Sequence, residues 1–81
     1  MIKVIEKQLA DEIEKWTRKA KEKRKKIKLM DKSKENMIKN IDAYISDTEH
    51  FMKKGDLIRS FEAIVWAFAW IEILEELKII K

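Results

Sequence analysis

The chain has 81 residues, which leaves room for one hydrophobic core and predicts a single domain over residues 1–81. Proline and cysteine are absent and Gly55 is the only glycine, which excludes a β-rich fold, a disulfide framework and a thiolate metal site. The net charge of +4 is uneven, because residues 1–40 carry 14 basic against 7 acidic side chains (+7) and residues 41–81 carry 5 against 8 (−3).

The first predicted element is an amphipathic helix over about residues 3–28. Its apolar residues recur at steps of three, four and seven, which places them on one narrow stripe. The stripe consists of Ile2, Ile5, Leu9, Ile13, Trp16, Ala20 and Ile27. Charged residues cover the other faces, so one side of this helix is expected to pack against the rest of the fold.

The second predicted helix covers about residues 34–54. Asp31 and Ser33 are both good N-cap residues before it. Gly55 supplies the left-handed residue that ends the helix, and Asp56 can cap the next one. Because the connection is so short, helices two and three are expected to form an antiparallel hairpin. The apolar stripe of helix two comprises Met37, Ile38, Ile41, Tyr44, Ile45, Thr48, Phe51 and Met52.

The third predicted helix, about residues 56–79, is apolar around most of its circumference. One face holds Leu57, Ile58, Phe61, Ile64, Val65, Phe68 and Ile71, and a roughly opposite face holds Ala63, Trp66, Trp70, Ile73, Leu74 and Leu77. A helix that is apolar all round is expected to be buried all round. We therefore expect an antiparallel three-helix bundle that associates through Trp66, Trp70, Ile73 and Leu77. The alternative is a skewed monomeric bundle in which both faces serve one core.

The segment from Tyr44 to Glu72 resembles the signature of an archaeal family, domain-of-unknown-function family 357. The resemblance rests on the Gly55-Asp56 joint, on the Phe-Glu pair that follows it, and on the Trp-Ala-Phe-Ala-Trp run. It implies a short three-helix bundle from an archaeon, and it implies no activity, ligand or catalytic residue.

The sequence offers few candidates for chemistry, and it predicts no enzyme, no cofactor and no metal site. His50 is the only histidine and is expected on the solvated side of helix two. Glu72 is expected among apolar residues of helix three, where a buried carboxylate would need a cationic partner or an interface contact. Exposure near the end of the bundle and a role as a functional acid are the alternatives. A polar cluster near the hairpin is expected either to brace helices two and three or to line a notch for a partner. Its members are Tyr44, Asp47, Asp56, Arg59, Glu62 and Glu72.

A basic tract between residues 18 and 28 is the argument for nucleic-acid binding. It holds eight basic residues against one acidic residue, which would attract phosphates, and the candidate patch is Arg18, Lys19, Lys21, Arg24, Lys25 and Lys28. These charges are interpreted as spread around the whole helix, without an interleaved aromatic residue that could stack on bases. A solvated helix end is the simpler interpretation.

The preferred functional hypothesis is a non-enzymatic helical interaction module that forms a homodimer or docks a partner protein through helix three. Nucleic-acid binding through residues 18–28 is the alternative. The longest apolar run, residues 63–71, is too short to span a bilayer, so a cytoplasmic protein without a membrane partner is expected. Abundant Lys, Glu and Ile without Cys also suits a thermophile.

Overall fold

A computed structural model describes the backbone of residues 2–81 and the side chains from Val4 onward, so Ile2 of the first predicted stripe lies outside the described side chains. Helix α1 covers Ile2–Lys26, α2 covers Glu35–Lys53, and α3 covers Leu57–Glu76, with a short 3₁₀ turn at Lys32–Lys34 before α2. The helices run up, down and up in a body of 47 × 17 × 17 Å. The predicted all-α three-helix bundle is confirmed.

The turn between α2 and α3 has the predicted chemistry. Gly55 adopts a φ of +77°, in the left-handed region that a side chain disfavours. The amide of Gly55 donates to the carbonyl of Met52 (3.0 Å), and the amide of Asp56 donates to that of Phe51 (2.9 Å). This Schellman pattern satisfies the last carbonyls of α2. The Asp56 carboxylate then accepts from the amide of Arg59 at 3.1 Å and so caps α3.

The start of α2 differs in detail from the prediction. Asp31 caps the 3₁₀ turn, not α2, because its carboxylate accepts from both the amide (3.0 Å) and the hydroxyl (2.6 Å) of Ser33. Lys34 occupies the N-cap position of α2 without a side-chain hydrogen bond. Ser33 therefore donates to the capping carboxylate of Asp31 and does not itself cap α2.

The ends of α1 and α3 fall two and three residues earlier than predicted. Beyond Lys26 and Glu76 the two chain segments pair with each other, forming an isolated antiparallel bridge between Leu29 and Ile80. The chain enters this pairing through Lys78, whose φ is +60°, and the Ile79 amide donates back to the Leu74 carbonyl at 3.0 Å. The contact is non-local, which explains why helical periodicity did not predict it.

The core lies mainly between α2 and α3, which form the most extensively packed pair of helices. It consists of Ile38, Ile41 and Ile45 of α2, Ile64, Ala67, Ile71 and Leu74 of α3, Ala20 of α1, and Ile80. Helix α1 contributes only Ile13 and Ala20 as fully buried apolar residues among its described side chains. The hairpin therefore supplies most of the apolar burial.

The first two turns of α1 extend beyond the hairpin. Ile13 and Glu14 border the same pocket as Met52 and Lys53 near the end of α2, which places the turns before them at the Gly55 end of the bundle. Ile5, predicted on the packed stripe, is 62% exposed for this reason. The apolar periodicity of α1 is correct, but its first turns have no helix beside them in one copy of the chain.

Candidate interaction surfaces

The outer side of α3 is apolar although it faces solvent. The inner side buries Ser60, Ala63, Ile64, Ala67, Ile71 and Leu74. Six large apolar side chains on the outer side are between 41% and 71% exposed: Ile58, Phe61, Val65, Trp66, Ile73 and Leu77. Neighbouring helices cover only the inner half of α3 in a single copy, so its two apolar faces do not both serve one core, as the alternative of a skewed monomer required.

The four residues predicted as an interface form one surface stripe, called here the tryptophan stripe: Trp66, Trp70, Ile73 and Leu77. Trp66 is 52% exposed and its ring stacks on Tyr44 of α2, with 6.3 Å between centroids and 20° between planes. Trp70 is half-buried and packs against the core, while Ile73 and Leu77 are exposed. One indole is thus held flat against α2 with much of its surface in water.

A groove of about 450 Å³ runs along the opposite flank of α3, beside α1. Trp16 of α1 meets Phe68 of α3 edge to face, with ring centroids 5.3 Å apart. Glu72 lies at the border of this groove and is exposed. Glu72 does lie among apolar residues, as predicted, but it is exposed, which was the alternative to a buried ion pair.

The predicted polar cluster at the hairpin does not assemble. Arg59 contacts the carboxylate of its neighbour Asp56 at 3.4 Å and lies 6.0 Å from the ring centroid of Phe51. Asp47 and Glu62 are exposed and take no part in the ion pairs found among residues 4–81. Tyr44 stacks on Trp66, as described above, which places it with the tryptophan stripe.

A buried hydrogen bond joins α2 and α3 where the polar cluster was expected. The Ser60 hydroxyl donates to the Thr48 carbonyl at 2.6 Å, and the Thr48 hydroxyl donates to the Tyr44 carbonyl at 2.8 Å. Both residues are almost fully buried. Sequence reasoning placed Thr48 on an apolar stripe and gave Ser60 no role, although a small hydroxyl residue inside an apolar helix face is the signal that marks such a contact.

Three cations of the basic tract are used in contacts with the other helices. Lys21 pairs with Glu49 of α2 at 2.9 Å, and Lys23 lies 3.9 Å from Glu75 of α3. Arg24 donates two hydrogen bonds to Asp42, from Nε at 2.6 Å and from Nη2 at 3.1 Å. The hydrogen bond to Asp42 raises the pKa of Arg24, against a smaller opposing effect of burial. These pairs orient α1 on the hairpin.

The other residues of the candidate patch, Arg18, Lys19, Lys25 and Lys28, are exposed. They do not all share one side, because Lys19 and Lys25, six residues apart, lie on different sides of α1 and Lys28 follows its end.

A different set of lysines does share one edge of α1. Lys15, Lys19, Lys23 and Lys26 follow one another at steps of four, four and three, which places them on one side of a helix. The last three border a shallow cleft with Trp16 and Phe68. We call these four residues the lysine edge.

An aromatic residue belongs to this edge. The ammonium of Lys19 lies 4.6 Å and that of Lys15 5.7 Å from the ring centroid of Trp16. The indole N–H donates to Glu12 at 3.0 Å, and the side chain is 37% exposed. The interpretation that the basic charges form no stripe and have no aromatic neighbour is corrected for this side of α1.

The C-terminal segment adds further lysines at the end of the edge. Lys28 and Lys81 exchange both backbone hydrogen bonds, at 3.0 and 2.9 Å. Directly opposed residues of an antiparallel pair project their side chains from the same face. Lys23, Lys26 and Lys81 also border one small pocket, together with Glu75. Residues far apart in sequence therefore meet in one basic region.

The described residues show no feature that holds a metal ion. His50 is exposed and contacts the ring of Phe51, with 5.4 Å between centroids. Within the part of the chain that the structure describes, no three His, Cys, Asp or Glu side chains gather as metal ligands would. None of the described helices has the length and apolar character needed to cross a membrane.

The fold places this chain in the class of small all-α proteins built as an up-down-up three-helix bundle. The chain belongs to the family described as protein of unknown function (DUF357), whose model matches residues 7–80. The crystal structure of protein AF1782 from Archaeoglobus fulgidus, a member of the same family, is similar to it. The two chains share 42% identity, with 95% of this chain and 96% of that one covered and a TM-score of 0.86. No curated protein matches. The family resemblance noted in the sequence is confirmed.

Proposed function

We propose that this protein is a non-enzymatic helical interaction module that pairs with a second copy of itself through the outer side of α3. The observation that carries the proposal is the set of six apolar side chains, each more than two-fifths exposed, along one side of a single helix. The side chains on this surface are apolar and aromatic, which suits binding and not acid–base or nucleophilic chemistry.

The exposed apolar area is large for a chain of this size. The two aromatic side chains offer roughly 150–250 Å² each when fully exposed and the four aliphatic ones less, so the six present on the order of 500 Å². That is the upper end of the largest apolar patch on an ordinary monomer. It is also most of the roughly 800 Å² that each partner buries in a standard interface. The total accessible surface is 6274 Å², and covering the patch would remove a substantial share of that surface from water.

A second copy is the occupant that this surface fits best. In a twofold dimer the same patch serves both partners, so one apolar helix face satisfies both sides of the contact. Homodimer interfaces are also more apolar than other interfaces, which matches the composition of this face. Trp66, held against Tyr44, offers a preorganised aromatic anchor of the type that dominates interface energetics.

Acidic side chains accompany the apolar patch. Glu62, Glu72 and Glu76 are exposed on α3, and two copies facing each other would bring these charges closer together. Their repulsion is screened by salt, whereas apolar burial is not. The dimer is therefore expected to become tighter as ionic strength rises, which is a specific signature of this surface.

Sedimentation equilibrium on substituted chains tests the proposal. In Ile73→Gln/Leu77→Gln both replaced side chains are already about half exposed, at 45% and 62%, so the fold of the single chain is retained. Glutamine also preserves helix propensity. The wild type is expected to sediment as a dimer at tens of micromolar, and the double variant as a monomer.

Val4→Gln/Ile5→Gln is the matched control, because it removes two exposed apolar side chains (60% and 62%) from α1 and not from α3. This control is expected to dimerise as the wild type does. A wild type that remains monomeric overturns the proposal, and so does an equal loss of dimer in both double variants. Far-UV circular dichroism melts of all three proteins establish that the comparison is made between folded chains.

A further inference from the structure

We infer that the lysine edge of α1, together with Trp16, binds single-stranded nucleic acid, with phosphates against Lys19, Lys23 and Lys26 and a base against the indole. This surface lies on the α1 side of the molecule. The tryptophan stripe lies on the other flank of α3, whereas Phe61 and Val65 of the outer side border the groove beside Trp16, so the two surfaces adjoin there. Substitutions at Ile73 and Leu77 and substitutions on the lysine edge test the two surfaces separately.

The first support is the electrostatic arrangement of the edge. Like charges four residues apart on a helix repel each other, and the edge repeats this spacing twice. Four acidic groups lie near the edge and Trp16 within residues 4–81. Glu12 accepts from the indole at 3.0 Å and Glu72 borders the groove beside Trp16, while Glu22 borders the cleft and Glu75 lies 3.9 Å from Lys23. Lys28 and Lys81 add two cations to the four lysines at the end of the edge. Positive charge remains in excess, and an anion that follows the helix would relieve the repulsion.

The second support is the length of the basic region. From Lys15 to Lys26 the helix rises about 16 Å at 1.5 Å per residue. The Lys28–Lys81 backbone pair continues the positive charge around the end of the bundle. A linear polyanion with regularly spaced charges matches such a row better than a single small anion does, and a nucleic-acid backbone is a polyanion of this kind.

The third support is Trp16, which distinguishes a single strand from a duplex. Its orientation is fixed by the hydrogen bond from the indole N–H to Glu12 and by the edge contact with Phe68, yet more than a third of the side chain is exposed. In the free protein the Lys19 ammonium lies against this ring. An unpaired base can replace the ammonium by stacking, while the lysine turns to an adjacent phosphate. A duplex keeps its base faces covered and cannot make this contact.

Fluorescence anisotropy with fluorescein-labelled oligo-uridine and oligo-thymidine tests the inference on the full chain. Saturable binding is expected at about 50 mM salt, with affinity that falls as salt rises because counterions are released from the phosphates. A labelled duplex of equal length is expected to bind more weakly than either single strand. Absence of saturable binding to both single strands at low salt overturns the inference.

A pair of charge-matched variants assigns the binding to the edge. Lys19→Ala/Lys23→Ala/Lys26→Ala is expected to weaken binding at least about tenfold and to lower the slope of log affinity against log salt by about 2. The control removes the same net charge from exposed lysines elsewhere, as Lys39→Ala/Lys53→Ala/Lys54→Ala. Its affinity is expected to stay within about twofold of the wild type. Equal losses of affinity in the two triple variants would show that oligonucleotides are attracted by net charge alone. That result would contradict a binding site on the lysine edge.

Trp16→Leu tests the stacking step, because leucine keeps an apolar contact with Phe68 but offers no aromatic face. Its affinity for single strands is expected to fall about fivefold or more. A folded Trp16→Leu protein that binds as the wild type does would contradict the placement of a base on the indole. Ile73→Gln/Leu77→Gln is expected to bind oligonucleotide as the wild type does. Sedimentation therefore tests the dimer, and anisotropy tests the nucleic-acid site, independently of each other.

Discussion

Two residues occupy the left-handed backbone region at the ends of helices, and they differ in how well they suit it. Gly55 (φ +77°) ends α2 and Lys78 (φ +60°) follows the end of α3. A residue with a Cβ atom pays about 1–2 kcal/mol in this conformation, whereas glycine does not. The pairing of Ile79–Lys81 with Lys28–Met30 holds Lys78 in place despite that cost.

Substitutions at these two positions are expected to have opposite effects on stability. Gly55→Ala should lower the free energy of unfolding by about 1 kcal/mol. Its new Cβ would have no atom within 4 Å, so the cost is backbone strain and not a clash. Lys78→Gly should raise the free energy of unfolding by up to about 1 kcal/mol, reduced by the greater freedom of glycine in the unfolded chain. Urea unfolding monitored by circular dichroism measures both, and a shift of the same sign in the two variants would contradict this account.

The Asp31 cap predicts a specific pH response. Hydrogen bonds from the side chain and amide of Ser33 lower the pKa of Asp31 below its ordinary value. The charged carboxylate is therefore the form that caps the 3₁₀ turn. The cap is complete above the ordinary pKa and is lost as pH falls through the lowered one. Carboxyl ¹³C NMR should show that Ser33→Ala raises the pKa of Asp31, and an unchanged pKa would contradict the role given to the hydroxyl.

The observed positions of Glu72 and of the lysines, compared with the predicted ones, show what a sequence pattern can predict about single residues. Helical spacing correctly grouped the residues of each face, but it does not show which faces meet neighbouring helices. Glu72 lies among apolar residues, as its spacing predicted, but the spacing did not show that this part of α3 faces water. Likewise, treating residues 18–28 as a block concealed the edge that begins at Lys15, before the tract.

At the scale of the helices, local signals predicted the α2–α3 hairpin well. Its turn depends on Gly55 and Asp56, which act within a few residues of their own positions. The ends of α1 and α3 depend instead on the bridge between Leu29 and Ile80, about fifty residues apart in sequence. No local pattern carries that information, so both helices were predicted too long.

Uneven packing of the helices predicts uneven protection from hydrogen exchange. Most of the core lies between α2 and α3, while α1 is attached by few buried residues and by ion pairs that solvent reaches. Exposed ion pairs contribute little to stability. Amides of α1 are therefore expected to exchange faster than those of Ile41, Ile45, Ile64 and Ile71, and the turns before Leu9 fastest of all. Native-state exchange measured by NMR tests this order, and uniform protection across the three helices would contradict it.

At the scale of the whole molecule, two surfaces of opposite character adjoin at the groove between α1 and α3. The outer side of α3 is apolar with acidic neighbours, and the edge of α1 is basic with one exposed indole. Salt should strengthen contacts made by the first surface and weaken contacts made by the second. Because the two salt dependences are opposite, self-association and nucleic-acid binding can each be measured while the other takes place.

The central claim is that the outer side of α3 pairs with its counterpart in a second copy. Sedimentation equilibrium of the unmodified chain, at several concentrations and at low and high ionic strength, tests this most directly. The account predicts a reversible dimer of twice the 9.8 kDa chain mass, with a dissociation constant that decreases as salt is added. A species of 9.8 kDa at every concentration, or a dimer that dissociates as salt is added, would contradict it.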